Sequence, residues 1–175
     1  LLKNNNSVFE SLIEIITEAT IHYLAMQIKA GAEIIKLFDS WAGSLNSDNF
    51  VKYSIKPINK IISRLKNTYP EIPIIVFPRG ANQFYKGFAK ETGAQSIAVD
   101  QSVSLSFMKV LQTETCVQGN LDPALMVSGG AELLDATKKL RDEMAEGPHI
   151  FNLGHGITPD ANPKNVELML NALRI

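Results

Sequence analysis

His155 stands between Gly154 and Gly156, directly after the apolar run Ile150-Phe151-Asn152-Leu153. Flanking glycines leave the backbone without Cβ atoms and let a ligand come close to the imidazole. Such a ring can donate, accept or carry a proton, and a purely structural histidine is the alternative. Ser40 follows another apolar run, Ile34 to Phe38, in the segment Asp39-Ser40-Trp41-Ala42-Gly43. Its hydroxyl can meet a ligand or serve as a local cap. Arg79, after Ile74-Ile75-Val76-Phe77-Pro78, carries a planar fork that pairs two-to-two with a carboxylate. Asp39, Asp100 and Asp122 also follow apolar runs, and each taken singly reads first as a turn or cap residue. Three carboxylates together could hold a divalent cation, but no His-x-Cys or Asp-x-Asp spacing supports a metal centre.

Other chemistries are excluded or weakly supported. Gly129-Gly130 lacks the Lys-Ser/Thr of a phosphate-binding loop and reads as a helix entry. No Gly-x-Ser-x-Gly elbow is present. The single cysteine, Cys116, rules out a disulfide framework within these residues and is expected to be a buried, inert thiol. His22 and His149 are expected to be structural or solvated. Seventeen Lys+Arg against 18 Asp+Glu give a net charge of −1, so no electrostatic footprint for nucleic acid or an anionic membrane is present. No apolar run reaches the roughly 18 residues of a membrane span, and no signal peptide pattern opens the chain. A reduced, cytoplasmic setting is the expectation. The first residues, Leu1-Leu2, also suggest that this beginning is not the gene's beginning.

The elements that must carry these residues alternate. Ser7-Val8-Phe9-Glu10 has capping-box form, and Phe9, Leu12, Ile16, Ala19, Tyr23, Met26 and Ala30 recur at helical spacing up to Gly31. A strand over 34–38 follows, then a helix over 50–69 with Pro57 as a kink or late start. Further strands are expected at 74–77, 97–99, 116–118 and 150–152, with helices over 82–91, 102–111, 131–145 and 163–173. The strands are short and apolar without alternation, which implies a parallel α/β sheet with helices on both faces. In such an architecture ligands bind beyond the carboxyl ends of the strands, where Ser40, Arg79 and His155 all fall. The expected domain is single, covering 1–175.

Three segments carry a specific resemblance: Phe38-Asp39-Ser40-Trp41-Ala42-Gly43, Gln118-Gly119-Asn120-Leu121-Asp122-Pro123 and Phe151-Asn152-Leu153-Gly154-His155-Gly156-Ile157. With Ile75 to Gly80 and Val99-Asp100 between them, they resemble the uroporphyrinogen decarboxylase family over essentially the whole chain. The resemblance implies a TIM (β/α)₈ barrel, of which this chain holds the last five or so strand–helix units, its N-terminal portion being absent. It implies a cofactor-independent and metal-independent carboxy-lyase, working as a homodimer. That enzyme converts the four acetate side chains of uroporphyrinogen III to methyls, giving coproporphyrinogen III and CO₂. It also implies substrate contacts at Ser40 and His155; Arg79 as a propionate contact rests on its chemistry alone. The family's arginine segment, its pyrrole-binding aspartate and its tyrosine have no counterpart among these residues, so no catalytic residue is assigned. Gln101 stands where the family usually has tryptophan. A zinc-dependent corrinoid or coenzyme M methyltransferase of the same superfamily and a non-catalytic remnant of a split gene are the alternatives.

Overall fold

The computed structural model describes residues 6–174, so Leu1 and Leu2 lie outside the described residues. Helix α1 (Asn6–Lys29) opens the chain and ends before Gly31, whose φ of 105° suits a residue without Cβ. Ser7 lies inside this helix and not at its cap position, and Glu10 pairs with Lys52. The buried seam of α1 runs through Thr17, Ile21 and Leu24, with Ile13 half-buried beside it. This corrects the expected face: Leu12, Ile16, Tyr23 and Met26 are exposed, Tyr23 and Met26 by 62% and 67%. Both stripes have helical spacing, so periodicity could not choose between them.

The residues group into two units that divide between Ser96 and Ile97. In the first, β1 (Ile35–Asp39) and β2 (Ile74–Pro78) pair in parallel, Ile35 opposite Ile74 and Asp39 opposite Pro78. Between them a continuous helical stretch comprises α2 (Ser47–Phe50), a widened π turn (Val51–Ile55) and α3 (Lys56–Thr68). It starts earlier than its apolar pattern suggests because Asn46 caps it, accepting from Asn49 N–H at 3.0 Å. Pro57 lacks the N–H that continues the ladder, and the widened turn lies directly before it. Ile58, Ile61, Ile62 and Leu65 of α3 are buried, as are Ile35, Leu37, Ile74 and Val76 of the strands. The expected helix over 82–91 is broken at Gly87 (φ 77°) into a short 3₁₀ turn and α4 (Phe88–Thr92). Phe50 stacks on Phe84 at 4.6 Å and tilts against Phe88 at 5.9 Å, closing this core.

Strand β3 (Ser96–Ala98) leads into the second unit, where Val99 N–H donates to Gln118 O at 2.9 Å. Then come α5 (Leu105–Gln112), β4 (Cys116–Leu121), α6 (Leu125–Ser128), α7 (Gly130–Glu143), β5 (His149–Leu153) and α8 (Pro163–Leu173). β4 and β5 pair in parallel, Val117 opposite His149 and Leu121 opposite Leu153. Helix α5 starts three residues later than expected, because Ser104 caps it by accepting from Phe107 N–H. Met108, Leu111, Val117, Met126, Leu133, Leu140 and Met144 form its buried core.

The α/β class with parallel strand–helix units is therefore present. Uniform burial of the strands is not. β2 and β3 are buried at every residue, whereas β1 and β5 alternate, leaving Phe38, Ile150 and Asn152 exposed. Alternation means that one face of β1 and of β5 lacks a covering layer among the described residues. Cys116, expected to be buried, is half-buried at the first residue of β4.

Candidate functional site

Ser40 and Arg79 immediately follow the last paired residues of β1 and β2, Asp39 and Pro78. Main-chain bonds lock the two strand ends together. Arg79 N–H donates to Asp39 O at 3.1 Å, and Gly43 N–H donates to Arg79 O at 3.0 Å. A Cβ on Gly43 would meet Gly80 O at 2.5 Å, so the glycine is required for this close approach of two loops. The lock carries Ser40 on an exposed turn and Arg79 half-buried beside it, with Trp41 79% exposed between Ser40 and fully buried Ala42. A hydroxyl and a guanidinium on adjoining strand ends are groups able to donate to an oxyanion.

The three carboxylates expected near the rim separate into two kinds. Asp100 accepts from Ser102 N–H at 3.0 Å and from its hydroxyl, and Asp122 accepts from Ala124 N–H at 2.9 Å; both hold their own turns. Asp39 differs. It accepts from the Ser54 hydroxyl at 2.6 Å, and burial pushes its carboxyl above the ordinary range, with Ser54 and Trp41 N–H partly offsetting that. Ser54 lies in the π turn, 15 residues along the chain, and nothing in its sequence neighbourhood marked it.

In the second unit His155 follows β5 on an exposed loop. Its Nδ1 accepts from Gly156 N–H at 2.5 Å, so the proton of the neutral ring resides on Nε2. The two glycines have different uses. A Cβ on Gly154 would collide with the backbone of Gln101, while Gly156 has open space around it. Only Gly156 therefore fits the expectation of glycines that clear a ligand path; Gly154 admits the neighbouring loop.

That loop is held by Asn120, which is buried and donates from Nδ2 to Asp100 O at 2.9 Å and to Val103 O at 2.7 Å. Gly119 has φ 134°, and a Cβ there would meet Val99 O at 2.6 Å. The Gly119-Asn120 pair thus joins the carboxyl end of β4 to the loop after β3. His149 is half-buried, and its Nε2 lies 2.6 Å from Gly119 O; burial lowers its pKa, with Gly119 O acting the other way. It fits the structural alternative expected for it. Gly129 caps α7, and its open α-carbon is faced by the Asn165 side chain, consistent with a helix entry.

Among the described residues no group of three or more His, Cys, Asp or Glu side chains could hold a metal ion. No described helix is long and apolar enough to cross a membrane.

The sequence model described as uroporphyrinogen decarboxylase (URO-D) matches residues 1–175. The chain is 53% identical over 175 residues to the uroporphyrinogen decarboxylase of Jannaschia sp. (strain CCS1), covering 99% of this chain and 51% of that protein. It is 53% identical over 171 residues to that of Paracoccus denitrificans (strain Pd 1222), covering 97% and 50%. For one from Cereibacter sphaeroides (strain ATCC 17029 / ATH 2.4.9) the identity is 51% over 176 residues, covering 99% and 51%. The chain spans about half the length of the curated relatives it matches. With strand-end segments 38–43, 118–123 and 151–157 in the family's order, the chain belongs to the uroporphyrinogen decarboxylase family.

Proposed function

We propose that this chain supplies part of the substrate rim of a uroporphyrinogen decarboxylase, which converts the four acetates of uroporphyrinogen III to methyls and releases CO₂. The observation that carries the reading is the identity of about half of all residues to proteins of that name across 99% of the chain. Ser40 and the Nε2–H of His155 donate to substrate carboxylates, and Arg79 pairs with a propionate. Activity requires the remaining portion of the family polypeptide, because the groups that stabilise a protonated pyrrole have no counterpart here. The complete enzyme works as a homodimer in the cytoplasm, without metal or organic cofactor.

The test is conversion of uroporphyrinogen III by this chain alone and by this chain mixed with the complementary portion of a close relative. The reading expects turnover in the mixture, a pH-dependent rate and indifference to chelators. Turnover in neither arm would support a non-catalytic remnant. Loss of turnover on chelation, restored by zinc, would instead favour a methyltransferase of the same superfamily.

A further inference from the structure

One face of the first unit carries a charged group that the rim residues do not account for. Along β1, side chains alternate between faces, so Lys36 and Phe38 share one side while Ile35 and Leu37 are buried on the other. The register sets Lys36 opposite Ile75 and Phe38 opposite Phe77. Phe38 and Phe77 meet edge to face at 6.1 Å. The Lys36 ammonium lies over both rings, 4.9 Å from the centre of Phe38 and 5.3 Å from that of Phe77. Lys36 is half-buried, and this desolvation lowers its pKa. Phe38 is 65% exposed although Phe77 beneath it is buried. The face thus combines an open aromatic surface, a cation held against it, and Ser40 and Arg79 at the strand ends above.

Resting on the tetrapyrrole reading above, we propose that Lys36 is a further substrate-binding residue of this face, taking one acidic side chain of a macrocycle whose ring body rests on Phe38. A pyrrole macrocycle with acid groups on its periphery matches this arrangement: apolar contact in the middle, positive charge at the base and at the rim. A cation already drawn partly out of water by two rings loses less solvation on meeting a carboxylate than a fully hydrated one. Lys36 therefore helps select ligands that carry acid groups from ligands of the same ring size without them.

The experiment uses this chain and uroporphyrin, the oxidised eight-acid macrocycle, with quenching of Trp41, its only tryptophan, as the signal. The unaltered chain should bind. Lys36→Met should weaken binding roughly tenfold, the size of one lost hydrogen bond to a charged group, while Lys36→Arg should stay within about threefold of the parent. Lys36→Gln, which keeps a polar end without charge, should behave like the Met variant and serves if that variant fails to fold. Equal affinity of the parent and either neutral variant would overturn the role of Lys36 and leave the tetrapyrrole reading standing. Absence of binding by the parent would overturn this inference, while turnover in the mixed-chain assay would leave the tetrapyrrole reading standing.

Discussion

The Ser54 hydroxyl reaches from the π turn before α3 to the carboxyl end of β1, donating to Asp39 Oδ2 at 2.6 Å. This bond ties the helical layer to the strand end that bears Ser40. Asp39 sits in partial burial that its two donors do not fully offset, so its carboxyl is held above the ordinary value. A raised carboxyl pKa means the folded chain retains a proton that the unfolded chain has lost. The contribution to stability is therefore full below the unfolded value and is lost as pH rises through the folded one. Asp39→Asn removes this dependence while keeping an acceptor for Ser54. The urea midpoint of the variant, relative to the parent, should rise as pH increases above the ordinary carboxylate value. A pH-independent difference would refute the assignment.

The two glycines beside His155 should respond oppositely to the same change. Gly154→Ala forces a methyl into the Gln101 backbone and should cost about 1–3 kcal/mol. Gly156→Ala meets nothing and should stay within about 0.5 kcal/mol of the parent. Thermal melting of the pair decides the matter; equal melting temperatures would contradict the packing described here.

Asn120 holds two main-chain carbonyls of the loop after β3. Asn120→Ala removes a donor from each in a buried setting, Asp100 O keeping Val103 N–H, and should destabilise the chain by about 1–3 kcal/mol. Faster hydrogen exchange at residues of the 99–103 loop should accompany it. Unchanged exchange there would mean that other contacts hold the loop.

On α1 the seam identified by burial should govern stability. Leu24→Ala should cost about 2–4 kcal/mol, and Met26→Ala less than about 0.5 kcal/mol. Reversal of that order in urea unfolding would restore the face that spacing alone suggests.

In a complete family enzyme, Ser40→Ala and His155→Ala should each lower kcat/KM roughly tenfold or more with little change in melting temperature, since both residues are exposed. Full activity in both variants would remove them from the site.

The residues bearing the strand-end chemistry were legible because their signals are local. Apolar runs closed by Asp39-Ser40, Pro78-Arg79 and Leu153-Gly154-His155 mark strand ends by composition alone. The α8 bounds, Pro163–Leu173, were readable for the same reason: proline fixes the first turn, and Asn162 accepts from Lys164 N–H to cap it. The helix over 50–69 was legible in type but not at its start, since Asn46 acts through one side-chain bond that no periodicity reflects.

What depended on partners distant in sequence could not be read from it. Which stripe of α1 is buried depends on α3, and the two stripes are equivalent until another surface chooses one. That Asp39 meets the Ser54 hydroxyl, 15 residues along the chain, while Asp100 and Asp122 bond within their own turns depends on where the helix after β1 passes. That Gly154 serves Gln101 and Gly156 leaves space beside His155 depends on where the loop after β3 passes. Sequence by itself determined the family, the alternation of strands and helices, and the strand-end segments that carry the candidate residues, because these are carried by neighbours in the chain. Tertiary structure alone decided which donors and acceptors are already occupied within the fold. Hydrogen bonding and desolvation are short-ranged in space, and the chain order does not encode that distance.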